Sequence, residues 1–472
     1  MASLNKTKKT SWSAKMFFLL SNILIFGKQM DSRALFLNLK PKKLFFKAAI
    51  PGGISMVVSS LYALFDSIFV GKFLGTTNFA ALGLAIPIII INFALSDLIA
   101  VGSAVPISVL LGQKQDEKAN NYFTSAIIMI LVTGVLMGVF MYFLSPAFMD
   151  LLGAEGELKT LAVSYVRVYA VFSPVTTLTF ALDNFLRICG RIKTSMFLNV
   201  FMSLFTIVLE SFFILVLKLG ICGAALGAVI SMFVCVVIGI WMFIPNKLQL
   251  KFRKPHFSGE LFLTVIKNGS PAFLTNIASR VFSIVMNMRL LALGGENAVA
   301  IYAVLMTVGS VIDQILYGVL DSVQPAIGYN YGAERPERVK ALKRCCTVAS
   351  AVVSITGAVI IFTLPRILAT PFLQDLSLLD NTAWALRLFS IGYLFKWISH
   401  SIQSFFMAIE WAFPALTISL SATFLFPLIM IAALLTMGLN GLWLNFPFTS
   451  LLSAILAIIL IRALRKKIFP QK

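Results

Sequence analysis

Residues 47–75, KAAIPGGISMVVSSLYALFDSIFVGKFLG, and residues 106–119, PISVLLGQKQDEKA, have a second copy that opens at Lys267 and closes on residues 325–339, PAIGYNYGAERPERV. Lys47 and Pro51 match Lys267 and Pro271. Gly75 and Ala81 match Gly294 and Ala300, and Pro106, Gly112, Glu117 and Lys118 match Pro325, Gly332, Glu337 and Arg338. The register slips by a single residue on the way. Later parts echo more weakly: Gly220 and Gly223 against Gly438 and Gly441, and Asn184–Phe185 against Ser404–Phe405. Duplicated helical bundles are a common build of secondary transporters, which pass a substrate through the interface between two halves.

The 472 residues are 59% hydrophobic and only 12% charged, against about 25% charged in a soluble domain. The apolar runs have the length of helices, not the roughly ten-residue alternating segments of an outer-membrane barrel. The net charge of +20 reads as basic residues held on the cytoplasmic side of a membrane, not as a nucleic-acid footprint. Cys189, Cys222, Cys235, Cys345 and Cys346 have neither a zinc spacing nor a disulfide framework. No phosphate-binding G-x-x-x-x-G-K-[ST] loop occurs.

Twelve spans are expected, at about 46–70, 79–111, 120–145, 158–186, 195–217, 221–245, 264–291, 297–330, 339–364, 382–409, 413–436 and 441–463. Each approaches or exceeds the roughly 20 residues needed to cross the hydrocarbon core. Lys and Arg collect at the N-terminal tail and at alternate loops, around Lys114/Lys118, Arg187/Arg191/Lys193, Lys247–Lys254, Arg335–Arg344 and Arg462–Lys467. That bias puts both termini in the cytoplasm. Only the loop around Glu410 lacks a cation of its own. The expected division is a basic N-terminal segment 1–44, a six-helix lobe 45–246, a cytoplasmic linker 247–260, a second lobe 261–463 and a basic tail 464–472. The apolar stretch Met16–Phe26 is too short to span and reads as an interfacial helix. Six spans per half leave the halves in the same orientation. The expected fold is therefore an all-α integral membrane protein whose two lobes are related by a pseudo-two-fold axis along the membrane normal.

Asp66 lies in an otherwise apolar span, with Ser55, Ser59 and Tyr62 on its helical face. Glu210 repeats the pattern with Asn199, Ser203 and Thr206. A charge at bilayer depth costs roughly 2.5–3.5 kcal/mol or more, so it normally faces a cavity or a partner. Such a carboxyl either loads a proton from one side and releases it to the other, or joins a polar pair that only holds helices together. Asp183, with Thr176, Thr179, Asn184 and Arg187 nearby, reads as an interfacial charge or an Arg187 partner. Asp97 lines the same cavity or bonds to neighbouring helices. In the second half Arg280 and Arg289 lie on span 7, Asp313, Gln314, Tyr317, Asp321 and Gln324 on span 8, and Lys396 and His400 on span 10. The simplest reading there is ion pairing between spans 7 and 8, with a moving polar wall as the alternative. Gly223 and Gly227 suit close helix packing.

Together, the segments around Pro51–Gly75, PISVLLGQKQDEKA, LDNFLRICGRIKTSM, QPAIGYNYGAERPERV and SFFMAIEWAFPALTISL resemble the multidrug and toxic compound extrusion (MATE) family, more closely its DinF-like bacterial branch than its NorM-like branch. The resemblance covers nearly everything after residue 44. It implies two six-helix lobes around a central cavity in a bacterial inner membrane. It also implies export of amphipathic, often cationic, small molecules in exchange for protons or sodium ions. It makes Pro51 a hinge coupled to Asp66 and places the partner of Asp66 at Glu210, where the family pattern has Asp. Thr206 stands where the pattern prefers Asn, and Ser279 falls near the slot where the NorM-like branch expects Glu.

The expectation is a proton antiporter with Asp66 and Glu210 as coupling residues, Pro51 as hinge, and Tyr62, Ser59, Asn199, Ser203, Thr206, Asp183 and Asn184 as support. Arg280, Asp313 and Asp321 form a second-lobe polar network. The chain is taken as a monomer that uses an ion gradient and no cofactor, and binds no nucleic acid. The alternatives are sodium coupling, with sodium at Asp66, Glu210 and Thr206, and a lipid-linked oligosaccharide flippase, which would favour fourteen spans. A polytopic enzyme is disfavoured, because neither His256 nor His400 heads an H-x-x-x-x-D motif.

Overall fold

The computed structural model describes residues 32–245, 247–372 and 378–469. The Met16–Phe26 stretch and the last residues of the tail lie outside them. Span 1 is Pro41–Leu74, span 2 Thr76–Gly112 and span 3 Asp116–Leu151. Span 4 breaks into Gly156–Thr176 and Leu178–Ile188. Thr177, at the break, offers its carbonyl to the Ser96 hydroxyl at 2.6 Å. Span 5 runs Ile192–Ser211 and widens to a π-helical turn at Phe212–Val216, and span 6 is Gly220–Phe243. Spans 7 and 8 share Gly259–Asp321, which breaks at Gly295 (φ 64°, ψ −159°), and span 8 ends as Gln324–Gly332. Span 9 is Pro336–Thr363, and span 10 is Leu379–Ile391 plus Tyr393–Ala408. Span 11 comprises Ala412–Leu420, a π-helical turn at Ser421–Leu425, and Phe426–Leu434.

Span 12, Gly438–Ile468, outruns the expected end at 463. Arg465, Lys466 and Lys467 fall in its last turn, where cations suit the negative end of the helix dipole. Among the described residues, nine continuous stretches are long and apolar enough to cross a membrane. Two of them, Gly259–Gly332 and Ala412–Ile468, each hold a pair of crossings. Span 10 is not among the nine: Asp380, Arg387, Lys396 and His400 make it more polar.

The duplication is written in the backbone. Lys114 and Glu334 both take positive φ (64° and 53°), as do Gly190 and Glu410 (73° and 62°) and Gly220 and Gly438 (58° and 60°). The left-handed residue opposite Gly75 is Gly295, not the Gly294 that residue matching suggests. The Glu410 turn, which lacks its own cation, lies near Lys267 of span 7. Burial pushes the Glu410 carboxyl above its ordinary range, and the Lys267 charge opposes that rise.

One apolar core is shared by both lobes at the face that carries the basic loops. It joins Phe45, Ile107, Phe123 and Phe185 to Leu320, Tyr329, Phe405 and Phe406. Toward the opposite face it divides into two cores. One is within the first lobe, with Val70, Ala81, Met141, Tyr169 and Val229; the other is within the second, with Leu290, Leu305, Leu386 and Trp443. The lobes thus share one core at the basic face and have separate cores beyond it.

Glycines make the seal possible. A Cβ on Gly269 would stand 1.8 Å from the Leu98 carbonyl oxygen, and one on Gly102 would stand 2.1 Å from that of Val265. Gly112 meets the Tyr329 carbonyl (2.2 Å), while its repeat mate Gly332 meets that of Val109 (2.1 Å). Gly52 and Gly318 likewise face each other's carbonyls, at 2.3 and 2.7 Å. Spans 1 and 2 therefore cross spans 7 and 8 backbone to backbone.

Candidate acid pair in the first lobe

Span 1 and span 5 bring Asp66 and Glu210 together, within hydrogen-bonding reach of one another. The Tyr62 hydroxyl, one turn before Asp66, donates to Glu210 Oε1 at 3.0 Å. Glu210 is 1% exposed, and its Oε2 finds no donor among the described residues. Gly227 of span 6 permits this burial, because a Cβ there would lie 2.6 Å from Glu210 Cγ and 2.8 Å from its backbone nitrogen. Gly223 meets Phe213 in the same way, one turn earlier, at 3.1 Å. Among the described residues neither acid forms an ion pair with Lys or Arg.

Tyr165 and Tyr169 of span 4 complete the surroundings. They are buried, their rings lie 5.3 Å apart, and both sit in the electrostatic reach of Asp66. The sequence reading missed them. Their signal was two tyrosines one turn apart on a span that needs to supply a wall to the lobe.

The other residues expected to support the pair are placed elsewhere. Asn199 Nδ2 donates to Asp183 Oδ1 at 2.8 Å, turned away from Glu210. Asp183 also accepts from the Ser195 hydroxyl and pairs with Arg187 at 2.5 Å, with side chains only 15% and 4% exposed. Ser203 and Thr206 are buried, and their hydroxyls donate to the Asn199 and Met202 carbonyls one turn back. The Asn184 amide returns to the Phe180 carbonyl. Ser59 is half-buried on span 1. Pro51 lies inside an unbroken span 1, where it has no N–H for the Lys47 carbonyl; Gly52, next to it, is a seal residue. Among the described residues no group of three or more His, Cys, Asp and Glu could hold a metal ion.

The second lobe corrects the expected pairing of spans 7 and 8. Arg280 is exposed, and Asp313 pairs instead with Lys396 of span 10 at 2.6 Å. Tyr393 donates to the same carboxyl at 3.3 Å, and the Lys396 ammonium lies over the Tyr393 and Phe446 rings. The reason is reach: spans 8 and 10 pack together within the lobe, while Arg280 points off it. His400 sets its ring edge to face with Tyr317 (4.5 Å), and its Nε2 is buried without a partner among the described residues. Asp321 accepts from Gln324 at 2.8 Å, and Gln324 also donates to Ser404 at 3.0 Å. Across the lobe boundary Asp321 feels the charges of Asp97 and Arg187.

Two duplicated six-helix lobes, sealed at one face and holding a buried acid pair in one of them, define a secondary-transporter architecture. The MatE family model matches residues 51–212 and again 271–438, and the chain belongs to this family. The chain is 29% identical over 359 residues to the multidrug export protein MepA of Staphylococcus saprophyticus, covering 74% of this chain and 78% of that protein. To MepA of Staphylococcus aureus it is 27% identical over 362 residues, with the same coverage. A solved structure described as the outward-facing conformation of a multidrug resistance MATE family transporter of the MOP superfamily superposes with a TM-score of 0.87. It is 24% identical, and the match covers 93% of this chain and all of the other. The protein is thus a multi-pass membrane transporter of the multidrug efflux family.

Proposed function

We propose that the protein exports amphipathic, cationic small molecules in exchange for protons, with Asp66 and Glu210 as the coupling pair. The observation that carries this reading is a buried Glu210 whose Oε2 has no donor among the described residues and whose side chain lies within hydrogen-bonding reach of the Asp66 carboxyl. Two carboxyls in contact need a proton between them, since an oxygen must donate for the contact to be a hydrogen bond. No Lys or Arg is paired with them among the described residues, so a proton is the simplest neutraliser at that depth. Tyr62 and Tyr169 supply polarity without charge. When the proton leaves, a pair carrying one more negative charge has to find a cation or water. A cationic substrate entering between the lobes supplies that charge, so proton and substrate trade places.

The basic face is the cytoplasmic one, by the loop bias, so the sealed arrangement corresponds to the outward-directed state. The shared core at the basic face and the divided cores beyond it favour alternating access, in which joining the far ends of the lobes and opening the basic face return the site to the cytoplasm. The chain works as a monomer in the bacterial inner membrane, without an enzymatic step. Expression in a drug-sensitive bacterial host tests the reading. The native chain should lower accumulation of a lipophilic dye cation, and Asp66→Asn, present in the membrane at equal amount, should not. Equal dye export by both would overturn the assignment of Asp66.

A further inference from the structure

The helix Ser32–Asn38 lies outside both repeats and bridges them. At its start, Arg33 Nη2 donates to both carboxylate oxygens of Asp116, the first residue of span 3, at 3.1 and 3.0 Å. The Ser32 hydroxyl donates to Gln249 of the linker. That linker is tied to span 3 by the backbone N–H groups of Lys251 and Arg253, on Asn120 and Thr124. Leu35 packs where Gly190, between spans 4 and 5, leaves room. Asp116, Gln249 and Gly190 belong to the first lobe or its linker, while Arg33 Nε also donates to the Tyr329 hydroxyl of span 8 at 3.3 Å, a group that Gln249 Nε2 reaches at 3.0 Å.

The other end of the helix is held by the second lobe. Its terminal carbonyls, which have no partner within so short a helix, accept from the end of span 8, the start of span 9 and the turn between them. Asn330 reaches the Phe36 carbonyl at 3.0 Å, and Arg335 reaches that of Leu37 at 2.9 Å. Arg338 reaches those of Phe36 and Leu39 at 2.9 and 2.6 Å, and is itself steadied by Asn330 at 2.8 Å. The Phe36 ring is 1% exposed and lies 5.2 Å from that of Tyr329. The loops on the two sides, with left-handed Lys114 and Glu334, are repeat mates. The helix thus lies across the pseudo-symmetric pair of turns where the seal ends.

We propose that Ser32–Asn38 is a latch that ties the two lobes together across the basic face, and that it lets go of the first lobe when that face opens. The direction of release follows from the two grips. The second-lobe grip is a buried aromatic ring plus four charge-assisted or amide hydrogen bonds to backbone carbonyls, where guanidinium groups suit a helix C-terminus. The first-lobe grip centres on an ion pair whose side chains are 37% and 44% exposed. Exposed pairs of that kind are weak and screened by salt. The latch therefore remains on the second lobe and swings away from Asp116.

The test uses the full chain in nanodiscs, with its five cysteines replaced and Ser322→Cys as reporter. Ser322 is 2% exposed and sits against Gly52 in the seal. The rate at which a maleimide labels the introduced thiol reports opening of the basic face and does not depend on which ion is coupled. Asp116→Lys should speed labelling by about fivefold, the scale of one partly exposed ion pair. Arg33→Glu should do the same, and the exchange Arg33→Glu with Asp116→Lys should return the rate to near native. Raising salt should speed native labelling and slow that of Asp116→Lys, whose Arg33–Lys repulsion it screens. Native rates in both single variants, or a charge exchange that labels as fast as they do, would overturn the latch. Melting of each variant in the same discs separates loss of the latch from loss of the fold.

Discussion

Gly269→Ala should unseat the basic-face seal. The added Cβ would lie 1.8 Å from the Leu98 carbonyl oxygen and 2.7 Å from its carbon, where 3.4 Å is ordinary contact. Span 7 must therefore retreat from span 2 by about 1.5 Å, against backbone and not against a pliable side chain. Overpacking of this kind costs about 1–3 kcal/mol. The cost falls on the sealed state alone, since opening the face removes Leu98 from the contact. At about 1.4 kcal/mol per factor of ten, the ratio of open to sealed rises by about 5- to 150-fold. Maleimide labelling of the Ser322→Cys reporter in nanodiscs reads that ratio when closing is fast. Gly83→Ala, which meets nothing within 4 Å, should leave the rate unchanged and serves as the control. A folded Gly269→Ala protein that labels at the native rate would defeat this expectation, because the sealed packing would then have absorbed an impossible contact without moving.

Tyr62→Phe removes the hydroxyl that donates to Glu210 Oε1. A bond to a charged acceptor is worth about 1.5–3 kcal/mol, so substrate exchange in proteoliposomes should slow by about 10- to 100-fold, and native exchange would show that the contact is incidental. Gly227→Ala should slow exchange as well, by pushing span 6 off the Glu210 backbone, with little loss of folded protein on gel filtration; an unaffected rate would mean that Glu210 tolerates displacement. Arg187→Ala leaves Asp183 buried and charged, a loss of about 3–5 kcal/mol, which melting in detergent should register as a marked fall. Asp313→Asn should destabilise less, because its pair with Lys396 is partly exposed, and a fall larger than that of Arg187→Ala would invert the ranking.

Much of this is legible in the sequence. Helix-length apolar runs and the placement of Lys and Arg give the spans. The Lys47/Lys267 and Gly112/Gly332 matches give the duplication, because those residues serve sharp turns and close crossings that few other residues fit. Asp66 and Glu210 stand out because a carboxylate at membrane depth is costly. What escaped was direction around each helix. Asn199 shares a helical face with Glu210 by spacing, yet its amide turns toward Asp183, since a carboxylate already holding Arg187 and Ser195 still had an acceptor free. Arg280 and Asp313 lie on consecutive spans, but the break at Gly295 sets their facing, and span 10 brings Lys396 closer. Tyr165 and Tyr169 went unnoticed because a tyrosine pair on an apolar helix looks like any other packing. The Ser32–Asn38 bridge had no sequence signal, since its second-lobe partners grip backbone carbonyls.

If the Asp66–Glu210 pair carries the proton exchanged for substrate, proton flux must fail when either acid is neutralised. The decisive experiment is proton flux in proteoliposomes holding a preset pH gradient, followed on adding a lipophilic cation, for the native chain, Asp66→Asn and Glu210→Gln. The native protein should dissipate the gradient, and each variant, equally reconstituted, should not. Dissipation by both variants at the native rate, or native exchange that requires sodium and ignores the pH gradient, would contradict proton coupling through this pair.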